Sequence, residues 1–227
     1  MNTETLPWYS QCGQDTLVDQ HLGGAVNGVF VEVGAGDGII NSNTLFFERH
    51  RHWTGLLIEP HPAAAAACRR NRTANVGEYA ICTETGDASF CATDGDCSLS
   101  HLLDCQTKYS LERISRQKQQ IEIINVETLP LSRALWLNAI SHIDYLSVDT
   151  EGNELDVLRS INWMSTTINC ISVENNGEGT AVKEFLANLG FRLIHRLAWE
   201  EIYAYQTPFY QVDNVRVSEP TGGKDVR

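Results

Sequence analysis

Basic residues are scarce in this chain. Lys and Arg number 17 against 29 Asp and Glu, a formal net charge of −12 over 227 residues, and such a surface repels polyanions at long range. DNA and RNA are therefore not expected partners, and an anionic membrane surface is no better matched. Long hydrophobic runs are also missing: no stretch of about 18 apolar residues interrupts a composition that is 42% hydrophobic and 20% charged, so no membrane insertion is expected. Residues 1–10 lack the basic start and apolar segment of a secretory leader, and a cytoplasmic location is the expectation. On that expectation the Asn71-Arg72-Thr73 sequon is a chance match. The seven cysteines include no Cys-x-x-Cys pair, which leaves reduced thiols as the simplest account.

What is present is alternation of strand and helix patterns. Val29–Val33 is a β-branched and aromatic run that ends in Gly34-Ala35-Gly36-Asp37-Gly38 and passes into a helical pattern over Ser42–Glu48. Thr54–Ile58 reads as a second buried strand, Pro60 and Pro62 as its turn, and Ala63–Arg70 as a helix. Val76–Cys82 is expected to be a third strand, with Ala88–Cys91 forming a short hairpin arm against it. Residues 92–120 are polar and irregular except for a possible helix over Leu111–Gln119, a pattern that fits a lid over an acceptor as well as a solvated loop.

Alternation resumes with Ile121–Val126, a helix over Leu129–Asn138 and the strand Ile143–Val148 ending at Asp149. A helix over Leu155–Ile161, a strand over Ile168–Val173, a helix over Val182–Leu189 stopped by Gly190 and a closing pair, Phe191–His195 and Glu201–Tyr205, complete the pattern. The expected fold is α/β and doubly wound, a mainly parallel seven-stranded, Rossmann-like sheet with an antiparallel C-terminal strand. A single domain is expected over residues 1–211, followed by a loose polar tail over 212–227.

Ligands of such sheets bind at the carboxyl ends of the strands. Here those ends carry the Gly34–Gly38 cluster, Glu59, Asp149 and Glu174. Glycines after the first strand allow close approach of a ligand to the backbone, and an acid ending the second strand can accept hydrogen bonds from both hydroxyls of a ribose. The dinucleotide fingerprint Gly-x-Gly-x-x-Gly is not met, because Gly38 comes one position early and is followed by Ile39. Glu32 and Asp37 flank the loop and would repel a diphosphate while attracting a sulfonium and an ammonium group.

These residues resemble the FkbM-type methyltransferases. The likeness is carried by Tyr9–Asp15, Phe30–Gly38, Ser42-Asn43-Thr44, Trp53–Pro60 and Ile143–Glu154, and it extends to about Gln211. It implies a class I methyltransferase fold, S-adenosylmethionine as donor, and O-methylation of a sugar, a glycan or a small hydroxylated acceptor. Residues 92–120 match the family least. Gln14, Glu32, Gly34, Ala35, Gly36, Asp37, Asn43, Glu59, Pro60 and Asp149 are the expected cofactor-binding residues. Gln11, Gln14 and Asp15 read either as a lid over the amino-acid end of the cofactor or as a plain helix cap.

For the chemistry, a hydroxyl must be placed in line with the methyl and relieved of its proton. Asp149 and Glu151 are candidate catalytic acids, and with Glu174 they form a candidate magnesium or other divalent cation site. The same acids can instead cap the next helix. His101 reads first as a surface histidine and second as a candidate base. Two rivals are an NAD-dependent oxidoreductase, for which no Tyr-x-x-x-Lys is present, and a catalytically inactive binding module. A homodimer is left open.

Overall fold

A computed structural model describes residues 7–94, 99–175 and 179–206; the tail expected over 212–227 lies outside the described residues. In chain order the elements are α1 (Gln14–His21), β1 (Val29–Val33), α2 (Leu45–Arg51), β2 (Thr54–Ile58), α3 (Pro62–Asn71), β3 (Asn75–Gly77), β4 (Ala80–Ile81), β5 (Gly86–Thr93) and β6 (His101–Leu102). A 3-10 turn (Leu103–Cys105), α4 (Lys108–Gln117), β7 (Ile121–Leu129), α5 (Leu131–Leu137), β8 (His142–Val148), α6 (Glu154–Arg159), β9 (Thr167–Glu174), α7 (Ala181–Asn188), β10 (Phe191–Leu197) and β11 (Glu200–Tyr205) follow.

The main sheet has seven strands in the order β10-β11-β9-β8-β1-β2-β3, all parallel except β11. Side chains alternate across each strand, so β1 sends Val31 and Val33 into a core shared with Leu135 of α5, Leu158 of α6 and Leu186 of α7. Phe30 goes the other way, to Val18 of α1, Phe46 and Phe47 of α2 and Cys68 of α3. Each such buried apolar side chain stabilises the fold by about 1.5–3 kcal/mol. The result is a three-layer sandwich. Among the described residues no helix is long and apolar enough to cross a membrane, and the six described cysteines are free thiols.

Three sequence expectations are corrected. Val76–Cys82 is not one strand: β3 ends at Gly77 and β4 belongs to a second sheet of order β4-β7-β5-β6. The Tyr79 ring occupies the space that a side chain at Gly77 would fill, 2.4 Å from where its Cβ would stand, and the chain thereby turns off the main sheet. Ala88–Cys91 does not form a hairpin with that segment. It lies in β5, which pairs antiparallel with β7 over eight residue pairs from Gly86↔Thr128 to Thr93↔Ile121, and two-residue β4 offers no comparable ladder. Residues 92–120 are more regular than expected, since they hold β6 and α4. α4 begins with a capping box in which Thr107 Oγ1 accepts from Ser110 N at 3.0 Å and Ser110 Oγ from Thr107 N at 3.1 Å. It ends at Lys118, at φ +55°.

Candidate functional site

The turn after β1 is built for close approach. Gly34 has φ +89°, and a Cβ there would stand 1.7 Å from the Asp149 carbonyl oxygen, so only glycine lets β1 and β8 meet at this point. Gly36 has φ +55° with nothing within 4 Å of its would-be Cβ; that open space belongs to a cavity of about 240 Å³ at the carboxyl ends of the strands. Gly34, Ala35, Asp37 and Pro60 line it as well. Asp37 Oδ1 accepts from Ile39 N and Ile40 N, both at 2.8 Å, and so closes the turn.

Glu59 projects from the end of β2 into the cavity wall and is buried. Its Oε2 accepts from Gly36 N and its Oε1 from His61 N, each at 2.8 Å. A carboxylate offers about four lone-pair sites, so one on each oxygen is left for two hydroxyls. Burial pushes the group up to about 7, against the pull of the His61 and Gly36 amides.

Glu32 reaches the same wall, but its oxygens are taken by protein donors: Asn43 N at 2.7 Å, Thr44 Oγ1 at 2.6 Å and Ser42 Oγ at 3.0 Å. It therefore holds the Ser42–Thr44 turn. Asn43 Nδ2 donates to Ser147 Oγ at 2.9 Å, while its Oδ1 is buried without a partner beside the cavity.

Asp149, Glu151 and Glu174 converge opposite the glycine turn, with ligand oxygens all within 4.8 Å of one another. Burial raises all three, and the mutual repulsion of the group with Glu154 raises them further. Glu174 is the most strongly raised, by burial, by the neighbouring acids and by its hydrogen bond with Asp149; its Oε2 is buried without a partner. Glu200 of β11 pairs across the sheet with Glu174. It too is raised by burial and by Asp149, and Gln14 donates to it. Arg113 of α4 is the cation here, 2.9 Å from Glu151 Oε1. Glu151 has φ +56°, a conformation that costs a residue with a Cβ energy and collects at functional sites, and Gly152 follows at φ +121°, which glycine adopts freely. Glu154 is structural, its Oε1 accepting from Thr150 N and Gly152 N at 3.0 Å each.

The far wall comes from the second sheet and α4. Tyr79, Phe90 and Leu102 form an apolar face, and Ser100 and Gln117 add polar groups beside Arg113.

The sequence model of the methyltransferase FkbM domain matches residues 32–193, most of the chain. The chain belongs to the FkbM methyltransferase family. That membership supports S-adenosylmethionine as the methyl donor, and the order of the main sheet is that of the class I methyltransferase fold. No curated protein matches the chain. Among solved structures it is similar to precorrin-6y C5,15-methyltransferase from Geobacter metallireducens, at 12% identity and TM-score 0.44, covering 85% of this chain and 87% of that one. It is also similar to a candidate RNA methyltransferase from Pyrococcus horikoshii, at 10% identity and TM-score 0.40, with 89% of each chain covered. Likenesses this distant say nothing about the acceptor.

Of the residues singled out in the sequence, the FkbM domain brings Glu32, Gly34, Ala35, Gly36, Asp37, Asn43, Glu59, Pro60, Asp149, Glu151 and Glu174 to one cavity. Two stand elsewhere. Gln14 is buried behind the acids, where its Oε1 accepts from Cys12 N at 2.9 Å, and Gln11 lines the cavity instead. His101 is buried on the side of β6 away from the cavity, since Ser100 and Leu102 face it, and its Nδ1 donates to the Leu99 carbonyl at 2.8 Å. Asp15 lies inside α1 and ties down the segment before it, accepting from Tyr9 N at 2.7 Å and Ser10 Oγ at 2.5 Å. Arg113 and Gln117 were not foreseen. Their spacing of four residues on a helix puts both on one face, and that was the signal available.

Proposed function

We propose that the protein transfers the methyl group of S-adenosylmethionine to an oxygen of a sugar, glycan or other small hydroxylated acceptor. The observation that carries this is the polarity of the cavity: Glu59 with two spare lone pairs at one end, and an excess of buried carboxyls at the other. A sulfonium with a nearby ammonium relieves that excess, whereas a diphosphate would add to it. This disfavours a nicotinamide dinucleotide.

The donor fits the residues present. Glu59 would accept from its ribose, the open space at Gly36 would admit its chain, and the unpartnered Asn43 Oδ1 would receive an N–H from its ammonium. When bound, S-adenosylmethionine supplies a methyl on sulfur that an acceptor oxygen takes in line as the sulfur–carbon bond breaks. Tyr79, Phe90 and Leu102 give a ring-shaped acceptor an apolar face, and Ser100 and Gln117 give its hydroxyls partners. Asp149, held by its hydrogen bond with Glu174, would take the proton of the acceptor hydroxyl.

The oxygen-only trio Asp149, Glu151 and Glu174, with the orphaned Glu174 Oε2, also fits a hard divalent cation such as magnesium. Such an ion would lower the acceptor hydroxyl's pKa.

Calorimetric titration with S-adenosylmethionine and, separately, with NADH tests the reading. Saturable binding of the first alone is expected; binding of NADH alone would overturn it, and binding of neither would favour an inactive module of the same fold.

A further inference from the structure

We propose that Arg72 is a positioning residue of the donor site, holding the Ser42–Thr44 turn so that the Asn43 amide oxygen is presented to the cavity. The proposal rests on the reading of that cavity as a donor site. Arg72 follows α3 directly and its side chain is wholly buried. Its Nη1 donates to Ser42 Oγ at 3.0 Å and to the Gly38 carbonyl at 3.1 Å, its Nη2 to Thr44 Oγ1 at 3.0 Å and its Nε to Glu48 Oε2 at 2.9 Å. Glu32 lies 3.6 Å away as a second counter-charge.

The two hydroxyls of the turn thus sit between a cation and an anion. Ser42 Oγ and Thr44 Oγ1 each accept from Arg72 and donate to Glu32. Between them, the Asn43 amide N–H donates to Glu32 and its Nδ2 to Ser147 Oγ. With backbone and side chain both fixed, Asn43 lines the cavity and its Oδ1 is buried without a donor. An unmade hydrogen bond of this kind is costly until a ligand N–H completes it.

A buried ion pair stabilises a fold little more than well-packed apolar side chains would, so the position of Arg72 calls for an account other than stability. Its acceptors lie in three directions around one plane, which a guanidinium spans and an ammonium does not. The glycine spacing agrees. A Cβ at Gly38 would stand 2.7 Å from Arg72 Cγ, so the third glycine of the loop makes room for the arginine stem.

The test is a thermodynamic cycle on S-adenosylmethionine affinity, by calorimetry, with R72M, R72K, N43A and the R72M/N43A double variant. If Arg72 acts through Asn43, each single variant weakens binding about 10-fold or more, R72K binds as poorly as R72M, and the double variant is no weaker than N43A within about 3-fold. Additive losses in the double variant, or R72K binding like the parent protein, would overturn the proposal while leaving the donor reading intact. Absence of binding by the parent protein would overturn both. Should R72M not fold, R72K with R72K/N43A carries the same comparison, and amide exchange of residues 42–45 without ligand must quicken in R72K.

Discussion

Replacing Glu59 by glutamine keeps size and shape while changing one oxygen into an NH2 group. In the parent protein each carboxylate oxygen already accepts one backbone N–H, from Gly36 and from His61. The amide can satisfy only one of them, and its NH2 faces the other donor to donor. The ribose then loses one of its two acceptors, and a hydrogen bond to a charged group contributes about 1.5–3 kcal/mol. The expected loss in affinity for S-adenosylmethionine is about 10- to 150-fold. To show that the loss lies at the sugar, methylthioadenosine and its 2′-deoxy analogue can be titrated in parallel: the parent protein should discriminate between them and E59Q should not. A folded E59Q that binds S-adenosylmethionine within about 3-fold of the parent, or keeps the discrimination, would refute the assignment of Glu59 to the ribose.

Stability should fall with rising pH. Glu59 holds its proton up to about 7 in the folded protein against a usual value of 4.5, so the folded state binds more protons than the unfolded chain across that window. The ligand-free protein loses about 3 kcal/mol from this group between those values, and Asp149, Glu151 and Glu174, all raised, deepen the loss. Melting temperature measured from pH 4.5 to 8 checks this; a rising or flat profile contradicts it. Gly34→Ala, whose Cβ would stand 1.7 Å from the Asp149 carbonyl oxygen, should lower the melting temperature by several degrees and abolish donor binding, as thermal denaturation and calorimetry would report. Chelator-treated protein should lose turnover and regain it with magnesium, provided a methyl-accepting substrate is in hand; an undiminished rate in chelator removes the metal from the site.

The half of the cavity at the glycine turn was readable because its parts are local. A β-branched run, a glycine turn and an acid at the next strand end are each set by a few neighbouring residues, and parallel β1, β2 and β8 bring them together. Long-range pairing was not readable: β5, ending at Thr93, joins β7, beginning at Ile121, and nothing at either strand names its partner. Side-chain direction failed for a related reason. In two-residue β6 a shift of one position reverses every side chain, and His101 falls on the wrong side. Glu32 was read as a flanking charge, but the partners it finds ten to twelve residues later occupy its oxygens.

The β4–β7 pairing carries a consequence for how this protein can diversify. Ala80 lies beside Thr128 and Ile81 beside Leu129, so the chain departs from the main sheet and returns to it at nearly the same place. Everything between, β4 to β7 with α4, is a cassette spliced into a doubly wound scaffold at one seam. Lengthening or replacing it would reshape the Phe90, Leu102 and Arg113 wall while leaving β1, β2, β8 and β9 and their strand-end acids in register. One lineage of chains could thus change what it modifies without rebuilding the means of modifying it.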